Sequence, residues 1–146
     1  MKKFKVATLV GILAVSFSLG FSTNSAEAAT SSWQKVPGAG SSCQVRVWTD
    51  ASTYTTRATT IDFTLEQKGN CGKLNYSAGF HPDDLSSFYT PTSTGSFSFK
   101  TPIKTLSLSH SLFKGSQHTG RVHAILTKSG KEVGYAHSNK ITTHKR

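Results

Sequence analysis

The sequence predicts an all-β fold, a small antiparallel β-sandwich stapled by one disulfide, and three observations predict it. Strand-length segments alternate apolar residues with polar or hydroxylated ones at a period of two. Turn residues, mainly Gly, Ser, Asn and Pro, separate these segments at regular spacing, and no long helical period interrupts them. About seven short strands in such an arrangement form a sandwich or a small barrel.

The chain opens on a segment that is not part of this fold. Lys2, Lys3 and Lys5 make a positive head, Val6 to Phe21 is an apolar run, and the polar tail ends Ala26-Glu27-Ala28. This is the layout of a bacterial secretory signal peptide with a small-x-small cleavage site. An uncleaved membrane anchor is the alternative, but Ser and Gly dilute the run. The expected organisation is a leader over residues 1–28 and a single secreted domain over 29–146. That leaves enough chain for one hydrophobic core.

After a lead-in around Trp33 and the turn Pro37 to Ser42, Cys43 to Thr49 reads as the first clear strand. Cys43, Val45, Val47 and Thr49 share one face, and Arg46 and Trp48 share the other. Between Tyr54 and Glu66 the alternation is longest: Ile61, Phe63 and Leu65 point inward, Asp62, Thr64 and Glu66 outward. Threonines crowd this segment, and stiff β-branched side chains favour strand over helix. Gln67 to Asn70 reads as a hairpin loop, with Lys73 to Ala78 returning and Leu74, Tyr76 and Ala78 on one face. From Gly79 to Thr94 the pattern breaks, and His81 to Phe88 allows one helical turn. Strand patterning resumes at Ser96 to Lys100 and at Leu106 to Leu112, where Leu106, Leu108, His110 and Leu112 form a row.

The closing hairpin runs from Arg121 to His137 around Ser129-Gly130. A two-residue loop pairs Lys128 with Lys131, Leu126 with Val133, Ala124 with Tyr135 and Val122 with His137. The last three pairs then share an apolar face. The tail Ile141 to Arg146 is expected to fray.

Two cysteines, Cys43 and Cys71, lie in the secreted part, and an even count in an exported chain reads as a disulfide. Closing that loop removes roughly 3–4 kcal/mol of unfolded-state entropy. One disulfide joining early and later strands is similar to immunoglobulin-like domains, a resemblance of pattern only. The tryptophan midway between the cysteines is missing, because Trp48 stands five residues after Cys43.

The chemistry points to binding more than to catalysis. The secreted part keeps 14 of the 17 basic residues and 6 of the 7 acidic ones. Such a cationic protein is drawn to anionic polymers or membrane surfaces. Arg46 and Trp48, two apart on one strand, suit a sugar ring or an anionic polymer, with Lys35 and Arg57 as further cationic candidates. The reading is a secreted, wall-associated or antimicrobial protein directed at an anionic envelope or extracellular polymer. No cofactor, metal site, catalytic residue or specific nucleic-acid module is expected. Five of six histidines lie between His110 and His144, which keeps one alternative open. That alternative is a nuclease-like secreted hydrolase using His123 or His137 with Glu132. Scattered histidines with hydrogen-bonded rings are the plainer account. Asp83-Asp84 lack the spacing of a calcium loop.

Overall fold

The computed structural model describes residues 27–86, 92–109 and 112–146. Two sheets enclose one core. The first contains β1 (Ala29–Thr30), β2 (Gln34–Lys35), β3 (Gln44–Thr49), β5 (Thr60–Lys68) and β8 (Lys104–Ser107). Its order is β1-β3-β5-β8, with β2 also on β3. The second contains β4 (Thr53–Tyr54), β6 (Leu74–Pro82), β7 (Ser93–Phe97), β9 (His118–Lys128), β10 (Lys131–His137) and β11 (Ile141–Thr143). Its order is β4-β11-β9-β6-β7, with β10 also on β9. A single helical turn, α1 (Leu112–Gly115), precedes β9.

Alternation builds the core as the residue pattern requires. Val45 and Val47 of β3 and Ile61, Phe63 and Leu65 of β5 are buried from one sheet. Leu74, Ala78 and Phe80 of β6 and Val122, Ala124 and Leu126 of β9 are buried from the other. Burying each such side chain contributes about 1.5–3 kcal/mol, before the entropy of ordering it. Phe80 stacks obliquely on Phe113, ring centroids 5.6 Å apart, so the helical turn seals one end of the core.

The Cys43–Cys71 disulfide is formed, with Cα atoms 4.7 Å apart. Beside it, the Ser42 amide and hydroxyl both donate to Asn70 Oδ1, at 2.9 and 2.8 Å. Gly69 adopts φ +82°, and a Cβ there would stand 2.0 Å from the Ser42 carbonyl oxygen, so only glycine fits this close approach.

The cross-links bear on a correction. The segments around Gln67 to Ala78 do not form a hairpin: β5 pairs with β3 and β8, whereas β6 pairs with β9 and β7. The loop from Gly69 to Lys73, held to the start of β3, carries the chain across to the other sheet. Local turn chemistry is the same for a return and a crossover, and only long-range pairing separates them. The neighbouring region differs too, since β6 continues through Gly79, Phe80 and His81 to Pro82. Asp83 and Asp84 form a simple turn, Leu85 and Ser86 are not helical, and Ser87 and Phe88 lie outside the described residues. The later strands are displaced towards the N-terminus of their patterned segments: β7 runs from Ser93 to Phe97 and β8 from Lys104 to Ser107, after which Leu108 and Ser109 turn and Leu112 opens α1. His110 lies outside the described residues.

The closing hairpin keeps its turn and loses its register. Ser129 and Gly130 adopt φ +51° and +76°, the left-handed pair of a two-residue hairpin loop. Lys128 faces Lys131 and Thr127 faces Glu132, but a bulge at Val133 then shifts the ladder. Leu126 pairs with Gly134, Ile125 with Tyr135, Ala124 with Ala136 and His123 with His137. One inserted residue turns every later side chain to the opposite face. Ala136 therefore enters the core, and Tyr135 and His137 leave the apolar row expected for them.

The C-terminal tail is not frayed. Strand β11 pairs antiparallel with β9 and parallel with β4. Beyond it, the Arg146 guanidinium donates to the carbonyls of Thr55, Thr56 and Ala58. Those groups belong to a turn whose carbonyls would otherwise face solvent, so the last residue caps it.

Candidate binding faces

Because β3 and β5 are regular, their outward residues meet in register. Gln44 faces Lys68, Arg46 faces Glu66 and Trp48 faces Thr64. Lys35 of β2 faces Gln44, and Thr30 of β1 faces Trp48. The result is one continuous outward face. Arg46 donates from Nε and Nη2 to Glu66 Oε2, at 2.8 and 2.7 Å. Its guanidinium also lies 4.4 Å from the Trp33 ring centroid, and Lys68 Nζ lies at the same distance. These cation–ring contacts fix the indole across the strands. Arg46 is thus engaged with Glu66 and Trp33 and acts as a positioning residue.

The segment between β7 and β8 forms the opposite wall. Thr101 exchanges two hydrogen bonds with Leu65, its amide donating to the carbonyl at 2.9 Å and its Oγ1 accepting from the amide at 3.0 Å. The Gln67 side chain donates to the Ser98 carbonyl, tying down the start of the segment. Anchored in this way, it still leaves Phe99 69 % and Ile103 60 % exposed, an apolar cost that contact with a ligand would offset. Arg46, Trp48, Thr64 and Glu66 together with Lys100 to Ile103 enclose a cleft of about 430 Å³. Lys100 lines it, Lys35 and Lys68 lie further along the same sheet face beside Gln44, and Glu66 is paired with Arg46.

The structure therefore brings Arg46, Trp48 and Lys35 to one face, with Arg46 and Trp48 in the cleft wall. Arg57 is elsewhere. It lines a separate hollow with Asp50, Tyr54 and the loop from Thr55 to Thr60. There the Tyr54 hydroxyl donates to Asp50 Oδ1 at 2.7 Å, and burial together with that bond pushes the phenol pKa well up. Sequence reasoning did not find Lys68, Lys100 or Ile103. The signal was present in Phe99 to Ile103, a mixed apolar and basic stretch whose Phe97/Phe99 alternation imitates a strand.

The second sheet presents a different outward face. His81 of β6, Arg121 and His123 of β9, and Tyr135 and His137 of β10 gather there. The His123 ring stacks on Tyr135 at 5.2 Å and on His137 at 6.1 Å, and meets His81 edge-on at 5.9 Å. Burial, then His137 and His81, hold the His123 pKa below its ordinary value. Burial and then Arg121 lower that of His137. Glu132 pairs with Thr127, four residues along β9 from His123. His118 is buried apart from this group, with Nδ1 3.4 Å from Asp84. Among the described residues no group of three or more ligating side chains is arranged to hold a metal ion.

These two faces sit on a fold with recognisable relatives. Residues 26–144 match the family described as the YqgA MG2 macroglobulin domain. The chain belongs to that family. It is also 48 % identical over 79 residues to a protein of Bacillus subtilis (strain 168) named cell wall-binding protein YqgA. That match covers 54 % of this chain and 55 % of the relative, so the chain spans about half the length of the curated relative it matches. As an MG2 domain the chain is a two-sheet β-sandwich with one disulfide.

Proposed function

We propose that this MG2 domain is exported and binds an anionic polymer of the bacterial cell wall in the cleft between β3, β5 and the segment from Ser98 to Ile103. The observation that carries the reading is the cleft's composition: an outward tryptophan, the exposed Ile103 on an anchored wall and Lys100 in the lining, with Lys35 and Lys68 further along the same face. Trp48 and Ile103 supply flat apolar contact for a sugar ring, while Lys35, Lys68 and Lys100 attract phosphate or carboxylate groups. A relative named for cell-wall binding supports the same target and favours a wall-associated role over an antimicrobial one. Export over residues 1–28 is supported by the tripartite leader and by a family match that starts at residue 26.

Sedimentation with purified Gram-positive walls tests the reading. Binding should fall to background at about 0.5 M salt, where the screening length is only a few ångströms. A Lys68→Glu/Lys100→Glu double variant should lose binding at low salt. Retention of wall binding by that folded variant would refute the cleft.

A further inference from the structure

The outward face of the second sheet has no part in the cleft, yet it is built from groups that contact ligands. The rings of His123, Tyr135 and His137 lie within 20–23° of one another, with centroids 5.2–6.1 Å apart. They form a shared aromatic platform, and Tyr135 is 56 % exposed upon it. His81 abuts the platform from β6. Arg121, opposite His81, is held in place by donating from Nη1 to the Ser138 carbonyl at 3.1 Å.

The charges facing the platform decide what it can hold. Arg121 on β9 is cationic, and His81, His123 and His137 bring three imidazoles to it from three adjacent strands. Glu132 stands opposite Thr127 at the turn end of the β9–β10 hairpin, while the Lys128 amine donates to the Ala39 carbonyl at 2.7 Å. At the other end, beyond His81, Asp83 is paired with Lys140 at 2.8 Å. Protonation of the stacked His123 and His137 thus adds positive charge on the strands beside Arg121, and Asp83 is already paired with Lys140. A cation would be repelled by Arg121, and the nearly parallel rings do not converge on one point. An anionic glycan fits both features, a sugar ring on the aromatic platform and its acidic group against imidazolium and guanidinium.

We propose that this patch is a second polymer-binding site, specific for an acidic glycan or polyol phosphate and engaged in mildly acidic conditions. It rests on the reading that the wall ligand is anionic, but it does not depend on the cleft. The two faces belong to different sheets of the sandwich, so one domain could hold two polymer segments.

The test uses the full secreted chain and two soluble probes, polygalacturonate and poly(glycerol phosphate), at pH 7.5 and 5.0 and fixed ionic strength. The wild type should bind about fivefold more tightly at the lower pH. His123→Asn/His137→Asn should abolish that gain. Trp48→Ala should weaken binding at both pH values and leave the gain intact, which separates failure of this site from failure of the cleft. Which probe shows the gain distinguishes carboxylate from phosphate as the preferred group. Histidine titration by NMR gives a readout free of any folding defect. Bound polymer should raise the apparent pKa of His123 and His137. An undiminished pH gain in the double variant, histidine pKa values unmoved by polymer, or tighter binding of zinc alone than of either probe would overturn the proposal.

Discussion

The outward faces of the two sheets arise from the same strand geometry and differ in chemistry. On β3 and β5 the outward residues include Arg46, Trp48, Glu66 and Lys68, with no imidazole among them, and the pairing is regular. On β6, β9 and β10 the facing groups are mainly imidazoles and a phenol, brought together by a bulge. A face of fixed cations responds to salt, whereas a face of half-buried imidazoles responds to protons. The contrast teaches that a surface's regulation follows from which residues the register turns outward, more than from net charge.

Removing what both faces share gives the largest expected effect. Cys43→Ser/Cys71→Ser should lower unfolding free energy by roughly 3–4 kcal/mol, measured by denaturant titration. At temperatures where that variant stays folded, wall binding should persist, since strand register and not the cross-link builds the cleft. Loss of binding by the folded variant would show that the comparison has been drawn on the wrong feature.

A second substitution addresses the bulge. Gly134 adopts φ +144°, and a Cβ there would meet Val36 Cγ1 at 3.2 Å. Gly134→Ala should destabilise by about 1–3 kcal/mol through backbone strain. It should also disturb the His123–His137 pairing while sparing Arg46 and Trp48, which NMR shift changes confined to the second sheet would show.

Between the faces themselves, Trp48→Ala should weaken wall binding at pH 7.5 by about tenfold, the loss of a central aromatic anchor. His123→Asn/His137→Asn should weaken it less at that pH. The reverse ranking would exchange the roles of the two faces.

The smallest effect is on stability against pH. His123 and His137 have folded pKa values below the ordinary 6.5, chiefly through burial. Below that value the unfolded chain binds more protons than the folded one. Stability is therefore full above about pH 6.5 and declines as pH falls towards the folded values. Unfolding experiments at pH 7.5 and 5.0 should show this decline in the wild type and a flatter response in the double asparagine variant.

Much of the first face was legible in the residues alone. Arg46 and Trp48 are two apart on a strand without irregularity, so their shared direction follows from the period of two. Arg57 was misgrouped because charge type says nothing about which end of a strand a loop occupies. The second face was hidden for a different reason: the hairpin loop was read correctly, but the bulge moved His137 from opposite Val122 to opposite His123. Gly134 within a strand is the residue that marks such a bulge. The tail misled in the same way, since the capping of Thr55, Thr56 and Ala58 by Arg146 spans almost the whole domain.

What the sequence determined by itself was local and periodic: strands of alternating burial, one possible disulfide and an excess of basic over acidic residues. These follow from side-chain chemistry and from geometry between near neighbours. What only the tertiary structure decided was which strands pair, where the ladder slips, and that Lys100 and Ile103 close a wall against Trp48. Those outcomes depend on contacts between residues far apart in the chain, where many arrangements bury similar apolar area and packing of the whole selects one.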